Sequence, residues 1–143
     1  MLGVVGRETG HVRLAVVRRS GRAELEGPVL AQTRPGATVN TDEWKAYGHL
    51  PEGGRGHATV CHSPARPGGP EYARDDDGDG VREVHCNTME GTWTGLRNFL
   101  RPFRGVAKQY LGGYVAIFEW ANNIKVATTA FLRSLLTPKP STS

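Results

Sequence analysis

The chain has 143 residues, of which 38% are apolar, and its 18 Lys and Arg outnumber its 14 Asp and Glu to give a formal net charge of +4. This length allows one domain with a buried core but not two, and two cysteines exclude a disulfide-stapled secreted scaffold. The basic balance favours a polyanionic partner, of which nucleic acid is the commonest. No stretch approaches the roughly 20 apolar residues of a membrane span, and the N-terminus lacks a signal peptide, so we expect a soluble, cytoplasmic protein.

The first half of the sequence predicts short strands and little helix. Residues 2–7 and 11–18 alternate apolar and polar residues around a turn, which indicates an antiparallel hairpin. Residues 23–30 suit a short helix interrupted at Gly27-Pro28. Residues 37–41 form a β-rich run that ends in Asp42, and residues 43–47 then have helical propensity. A further strand is predicted at 57–62, so Asp42 is expected where a strand ends and a helix begins.

The second half predicts a loop and two helices. Residues 63–80 are rich in Pro, Gly, Arg and Asp, which indicates a flexible loop. Residues 87–101 give the clearest helical pattern, with Asn87 as N-cap and Glu90 completing a capping box. Its apolar stripe comprises Met89, Trp93, Leu96, Leu100 and Phe103. Residues 110–136 predict a longer helix, whose buried side comprises Tyr114, Ile117, Phe118, Ala121 and Ile124. The order of elements suggests an α/β or α+β fold with a small mixed sheet.

Asp42 and Glu90 are the first candidate for chemistry. Two-metal phosphoryl transfer needs carboxylates from separate elements that converge on divalent ions, and Mg²⁺ prefers few carboxylates together with water and phosphate oxygens. A strand-end Asp and a first-turn Glu suit this use. The competing interpretation is structural, with Asp42 as a helix N-cap and Glu90 as half of a capping box.

Two further patterns resemble metal sites more weakly. Cys61-His62 and His85-Cys86 are zinc-ligand types, but adjacent residues of a strand point to opposite faces, so neither dipeptide can chelate as a unit. The run from Asp75 to Gly80 begins like an EF-hand loop, although Cys86 occupies the position of the closing Glu. We interpret this run as a solvated acidic turn.

A basic set at the end of the Glu90 helix is the candidate DNA contact. Glu90, Thr94, Arg97 and Arg101 share one helical face, and Arg104 and Lys108 follow just beyond it. Cations beside a carboxylate site can hold the phosphates of a DNA strand, whereas the structural alternative is an ordinary solvated helix face.

Three blocks of sequence resemble a known family. Residues 41–47, TDEWKAY, resemble the TDxWxAY segment of ISXO-type insertion-sequence transposases of the DDE superfamily. Residues 60–63, VCHS, followed by Glu71-Tyr72, resemble their VNHSxxEY segment, and residues 85–93, HCNTMEGTW, resemble their HTNTIExxW segment. Residues 112–125 resemble the closing helix. The blocks occur in the family's order and cover most of residues 1–132.

The resemblance implies an RNase H-like α/β fold, with a mixed sheet and flanking helices, and cleavage and joining of DNA that depends on Mg²⁺ or Mn²⁺. By position, Asp42 is the second catalytic Asp and Glu90 is the closing acid, and both are metal ligands. His62, His85 and Asn87 fall at motif positions that line the same site. The implied partners are the insertion-sequence ends, the target DNA and further copies of the chain in a homo-oligomeric complex.

The sequence departs from the family in one respect that bears on activity. Family members carry their first catalytic Asp on the central strand, upstream of the segment with which this chain begins, whereas the first acidic residue here is Glu8. We therefore expect residues 1–136 to be a partial catalytic domain that does not cut DNA alone, and residues 137–143 to be a disordered tail. Such a chain is expected from a truncated reading frame, a pseudogene or a start assigned too late. One alternative is a non-catalytic remnant that binds DNA or pairs with an intact transposase. Another is an unrelated metal-binding protein, which would require a metal at Cys61 or Cys86.

Overall fold

The structure is a computed structural model that describes residues 1–124, 129, 132 and 133. Its regular elements are, in chain order, β1 (Leu2–Val5), β2 (Val12–Ala15), α1 (Arg22–Gln32), β3 (Thr38–Asp42), β4 (Gly56–Val60), β5 (Ala73–Arg74), β6 (Val84–His85), α2 (Asn87–Leu100) and α3 (Leu111–Asn123). The mixed α/β composition is confirmed. The strands form three separate two-stranded sheets, β1-β2, β3-β4 and β5-β6, so the single mixed sheet that the sequence predicted is not present among the described residues.

The predicted hairpin is confirmed, with shorter strands than expected. β1 and β2 pair antiparallel, with Leu2 opposite Ala15 and Val5 opposite Val12. Helix α3 lies along the other edge of β2. There the side chain of Asn123 accepts a hydrogen bond from the Val12 N–H at 2.8 Å and donates one to the Val12 carbonyl at 2.7 Å.

Helix α1 is continuous through Pro28, so the predicted interruption is wrong. Leu25 and Val29 are buried in the main apolar cluster together with Leu2 and Leu50. This packing offsets the one backbone hydrogen bond that a proline removes from a helix, because tertiary contacts supply most of the stability of a short helix.

The C-terminal end of α1 is held by Arg55, which lies just before β4. Its guanidinium donates hydrogen bonds to the carbonyls of Leu30 at 3.0 Å and Thr33 at 2.7 Å. Carbonyls in the last turn of a helix have no partner inside that helix. Arg55 therefore caps α1 from a distant part of the chain.

Strands β3 and β4 are parallel, with Thr38 opposite Gly56 and Asp42 opposite Val60. The segment between them contains only two 3-10 turns, Lys45–Tyr47 and Leu50–Gly53, so the helical tendency of residues 43–47 yields a single short turn. Leu50 is fully buried and joins this connection to the core.

The loop predicted at 63–80 is more ordered than expected, because residues 73–74 form β5. The Glu71 N–H donates to the Cys61 carbonyl at 2.7 Å, and the Glu71 carboxylate forms ion pairs with Arg66 and Arg74. These contacts, together with the buried side chain of Val84 in β6, hold β5 beside β6.

Helix α2 starts as predicted, but the capping box is wrong. Cys86 is the N-cap residue and no side chain caps the helix, whereas Asn87 is the first helical residue and is exposed. The Cys86 carbonyl accepts hydrogen bonds from the N–H groups of Met89 and Glu90. Of the predicted apolar stripe, Leu96 is buried, while Phe103 lies beyond the helix and is 44% exposed.

Helix α3 is described from Leu111 to Asn123, and most of the rest of the predicted helix, together with the predicted tail, lies outside the described residues. Its predicted buried side is wrong at Ile117, which is 57% exposed, and at Ala121, which is also exposed. The helix instead faces β2 with Val115, Glu119 and Asn123, which are four residues apart and share one face. No helix in the described part of the chain is long and apolar enough to cross a membrane.

Candidate active site

Asp42 ends β3, and local contacts fix the backbone there. Thr41 is buried, and its hydroxyl lies 2.8 Å from His57 Nε2 and 2.7 Å from the Asp42 carbonyl oxygen. Asp42 Oδ1 accepts a hydrogen bond from the Trp44 N–H at 3.2 Å, which is an Asx-type turn. The prediction that Asp42 is a helix N-cap is wrong, because the short 3-10 turn that follows has Trp44 as its N-cap residue and no side-chain cap. Asp42 is exposed, so its carboxylate is accessible to a metal ion from solvent.

Glu90 lies in the first turn of α2, and its side chain is 52% exposed. One carboxylate oxygen, Oε1, lies 3.4 Å from Nδ1 of His62. The His62 ring also lies against the ring of Tyr72, with centroids 5.1 Å apart. The structure thus brings together Glu90 and His62, which the sequence placed 28 positions apart.

The pKa of Cys86 responds to both carboxylates. Burial, followed by the negative charges of Asp42 and Glu90, raises the pKa of its thiol to about 11. Both carboxylates therefore act on one sulfur, although they come from different elements. Burial and the charges of Asp42 and Cys86 also raise the pKa of Tyr47. Because a thiol with a raised pKa stays protonated at neutral pH, Cys86 is a poor nucleophile and a poor metal ligand.

A cleft of about 1080 Å³ joins these groups. Asp42, His62, His85, Cys86 and Glu90 all line it, together with residues of β1 and the turn after it, the C-terminal end of α1, β3 and the start of α2. Asn87, the fifth catalytic candidate, is exposed and does not line the cleft.

His85 is positioned by its backbone. Its carbonyl accepts a hydrogen bond from Arg7 at 3.2 Å. Burial, with a smaller contribution from the Arg7 charge, lowers the pKa of its imidazole. His85 Nδ1 and His62 Nε2 are both buried without a hydrogen-bond partner among the described residues. Each histidine therefore retains a ring nitrogen that a bound group could use.

The basic set lies on the surface. Arg97, Arg101, Arg104 and Lys108 are all exposed, and Arg97 donates a hydrogen bond to the Thr94 hydroxyl at 3.0 Å. Thr94 and Arg97 follow Glu90 at four and seven positions along α2, which places them on one helical face.

A second acidic group was not predicted as a site. Oxygens of Asp75, Asp77 and Glu83 lie within 4.8 Å of one another. Among the described residues, this is the one group of three acidic, His or Cys side chains that are close enough to bind the same ion. Glu83 was not considered as a ligand, because the EF-hand pattern expects its closing acidic residue at position 86, which is a cysteine. Neither cysteine belongs to a set of three, and the pKa of Cys61 is raised chiefly by a hydrogen bond with Glu43.

The donors around Asp42 and Glu90 suit Mg²⁺ or Mn²⁺ in chemistry. Carboxylate oxygens are hard ligands, and Mg²⁺ commonly takes one or two of them together with water and phosphate oxygens. Both carboxylates are exposed at the same cleft, so water and a phosphate could complete the coordination.

One of the comparisons with known proteins identifies a family. A model of the ISXO2-like transposase domain matches residues 1–123. The chain belongs to this family. It is thus an insertion-sequence transposase of the DDE type, a class that generally uses divalent metal and acts on DNA. No curated protein and no solved structure matches the chain.

Proposed function

We propose that the cleft is the metal-binding part of a DDE transposase active site. In this proposal Asp42 and Glu90 hold Mg²⁺ or Mn²⁺, and the fold belongs to the RNase H-like type. The observation that carries the proposal is that Asp42 from β3 and Glu90 from α2 line one cleft together with His62, His85 and Cys86. A metal bound there would stabilise the charge that develops on a phosphate during strand cleavage and strand transfer.

The histidines orient and complete the site. His62 lies 3.4 Å from Glu90 and can hold that carboxylate in position, while its other ring nitrogen is buried and makes no hydrogen bond among the described residues. His85 lines the same cleft as Asp42, His62 and Glu90. Asn87 is adjacent to this group at the start of α2 and could reach a bound substrate from outside the cleft.

The exposed cations beyond Glu90 are the proposed DNA contact. Arg97 and Arg101 extend the Glu90 face towards the end of α2, and Arg104 and Lys108 continue beyond it. Contacts of this type hold phosphates without reading base sequence. A strand held there would run towards the metal. We also propose that the active complex contains further copies of the chain, since two insertion-sequence ends must be brought together.

Iron-mediated cleavage of the polypeptide tests the metal site without requiring activity. Fe²⁺ bound in place of Mg²⁺ generates hydroxyl radicals in the presence of ascorbate and peroxide, and these radicals cut the nearby backbone. We expect cuts close to Asp42 and Glu90 that excess Mg²⁺ suppresses and that Asp42→Asn or Glu90→Gln removes.

The matched control is Asp75→Asn, which alters the second acidic group. This variant should leave the cuts near Asp42 unchanged. Cuts that lie only around residues 75–83 and disappear in Asp75→Asn would contradict the proposed site.

A further inference from the structure

Arg7 lies in the cleft without a carboxylate partner. It follows β1 in the turn towards β2, is exposed, and lines the cleft together with three carboxylates, those of Glu8, Asp42 and Glu90. In the part of the chain that the structure describes, Arg7 forms an ion pair with none of the three. Four other arginines there do pair with carboxylates, namely Arg13, Arg22, Arg66 and Arg74. The described residues therefore leave the charge of Arg7 unneutralised.

The Arg7 side chain is held next to the helix that carries Glu90. Its Nη2 donates a hydrogen bond to the His85 carbonyl at 3.2 Å. His85 ends β6, Cys86 is the N-cap residue of α2, and the Cys86 carbonyl accepts a hydrogen bond from the Glu90 N–H at 3.2 Å. After burial, the charge of Arg7 is the second cause of the lowered pKa of His85, in keeping with this position. Arg7 thus lies at the N-terminal end of α2.

The stability of α2 does not account for this placement. The N-terminal end of a helix carries partial positive charge, so a cation there is unfavourable and an anion is favourable. No side chain caps the start of α2, and Thr88 in its first turn lines the cleft. An anion between Arg7 and the start of α2 would be attracted by both.

Most of the donors of the Arg7 guanidinium are unused by the protein. Arginine carries five N–H donors in a planar fork, and among the described residues only Nη2 of Arg7 donates a hydrogen bond. Arg55 shows the contrast, because its Nε, Nη1 and Nη2 all donate to acceptors of the chain. Two N–H groups on one edge of a guanidinium match two oxygens of a phosphate group. Since Nη2 has two N–H groups and uses one, an edge of the Arg7 fork stays available for an anion of this shape.

We infer that Arg7 binds a phosphodiester group of DNA inside the cleft, next to Asp42 and Glu90, while its Nη2 stays on the His85 carbonyl. The inference rests on the proposed function, because it requires a DNA strand in the cleft and a metal ion that offsets the repulsion between the two carboxylates and the phosphate. It adds a contact within the cleft to the surface contacts proposed for the end of α2. A paired contact of this kind fixes the orientation of a phosphate, which a single point charge does not.

Two substitutions of Arg7 and one of Arg34 test this contact. Arg34 is the matched control because it is also an exposed arginine that lines the cleft, but it precedes β3, at the end of that strand opposite to Asp42. The probe is a fluorescein-labelled DNA duplex in the presence of Mn²⁺, and binding is measured by fluorescence anisotropy over a salt series. We expect Arg7→Gln to weaken binding by about tenfold and to reduce the slope of log K against log salt by about one. Arg7→Lys should keep that slope but bind several-fold more weakly, since lysine keeps the charge and loses the fork, and Arg34→Gln should bind like the unsubstituted chain.

Chemical modification of the unsubstituted chain gives a second readout that needs no variant. Phenylglyoxal modifies exposed arginines, and mass spectrometry of the digested chain measures the rate at each of them. DNA with Mn²⁺ should slow the modification of Arg7 by about tenfold, while the rate at Arg34 should change little.

Equal salt slopes for folded Arg7→Gln and the unsubstituted chain, or unchanged modification of Arg7 in the presence of DNA, would overturn the inference. Equal losses of slope in Arg7→Gln and Arg7→Lys would also overturn it, because they would mean that Arg7 acts only by supporting the His85 backbone. Far-ultraviolet circular dichroism checks folding, and if Arg7→Gln does not fold, the modification rates decide. The metal site is judged separately by the Fe²⁺ cuts near Asp42 and Glu90, which Arg7→Gln should retain. Cuts that persist while Arg7 makes no difference to DNA binding would refute the Arg7 contact and leave the metal site standing.

Discussion

Replacement of Asn123 by Ala should reveal how much stability the α3 contact with β2 contributes. The Asn123 amide makes two hydrogen bonds to one residue, accepting from the Val12 N–H at 2.8 Å and donating to the Val12 carbonyl at 2.7 Å. Val12 is only 2% exposed, so water cannot readily replace the lost partner. The alanine variant would leave a buried donor and a buried acceptor unsatisfied.

The expected loss follows from those two groups. A buried polar group left without a partner costs about 1–3 kcal/mol. Because both bonds involve one side chain and the site can relax, we expect the free energy of unfolding to fall by about 2–4 kcal/mol rather than by the full sum. That would be a large share of the stability of a small domain.

Urea denaturation followed by far-ultraviolet circular dichroism measures this loss. The control is Asn98→Ala, since Asn98 is exposed on α2 and its replacement should change the free energy of unfolding by no more than about 0.5 kcal/mol. A loss in Asn123→Ala that matches the control would refute the reasoning, because it would mean that α3 does not hold the edge of β2.

Three further outcomes can be measured on the same protein. Arg55→Lys should lower the free energy of unfolding by about 1–3 kcal/mol, because a lysine ammonium lacks the planar guanidinium that donates to the Leu30 and Thr33 carbonyls. The control Arg34→Lys, at an exposed position, should change the free energy of unfolding little. Burial, followed by the charge of His49, lowers the pKa of His57 in the folded chain, so the unfolded chain takes up a proton more readily. The free energy of unfolding should thus be highest above pH 6.5 and fall as the pH drops below that value. In His57→Gln, urea denaturation across the same pH range should show a smaller fall in the free energy of unfolding. An equally large fall would mean that His57 is not its cause. The double variant Arg97→Ala, Arg101→Ala should weaken DNA binding for every sequence and reduce the slope of log K against log salt, measured by fluorescence anisotropy, by about two. The control Arg18→Ala, Arg19→Ala removes the same charge from the hairpin and should leave that slope unchanged.

Much of the candidate site could be predicted because its signals are local. Asp42 follows a β-rich run and Glu90 lies three positions into a strong helical pattern, so the element that carries each carboxylate was identifiable. The family motifs then indicated that these two elements meet. Sequence alone could not show that Cys86 lines the same cleft as both carboxylates, because that depends on how β3 and α2 are placed in space.

The wrong predictions share a physical cause, which is that contacts distant in sequence outweighed local preference. Pro28 stays helical because Arg55 and the core hold α1. Apolar periodicity placed Ile117 inside, but the inward face of α3 carries Glu119 and Asn123, which bond to backbone groups of β2. A polar side chain that satisfies a strand edge has the same appearance in sequence as one that faces water.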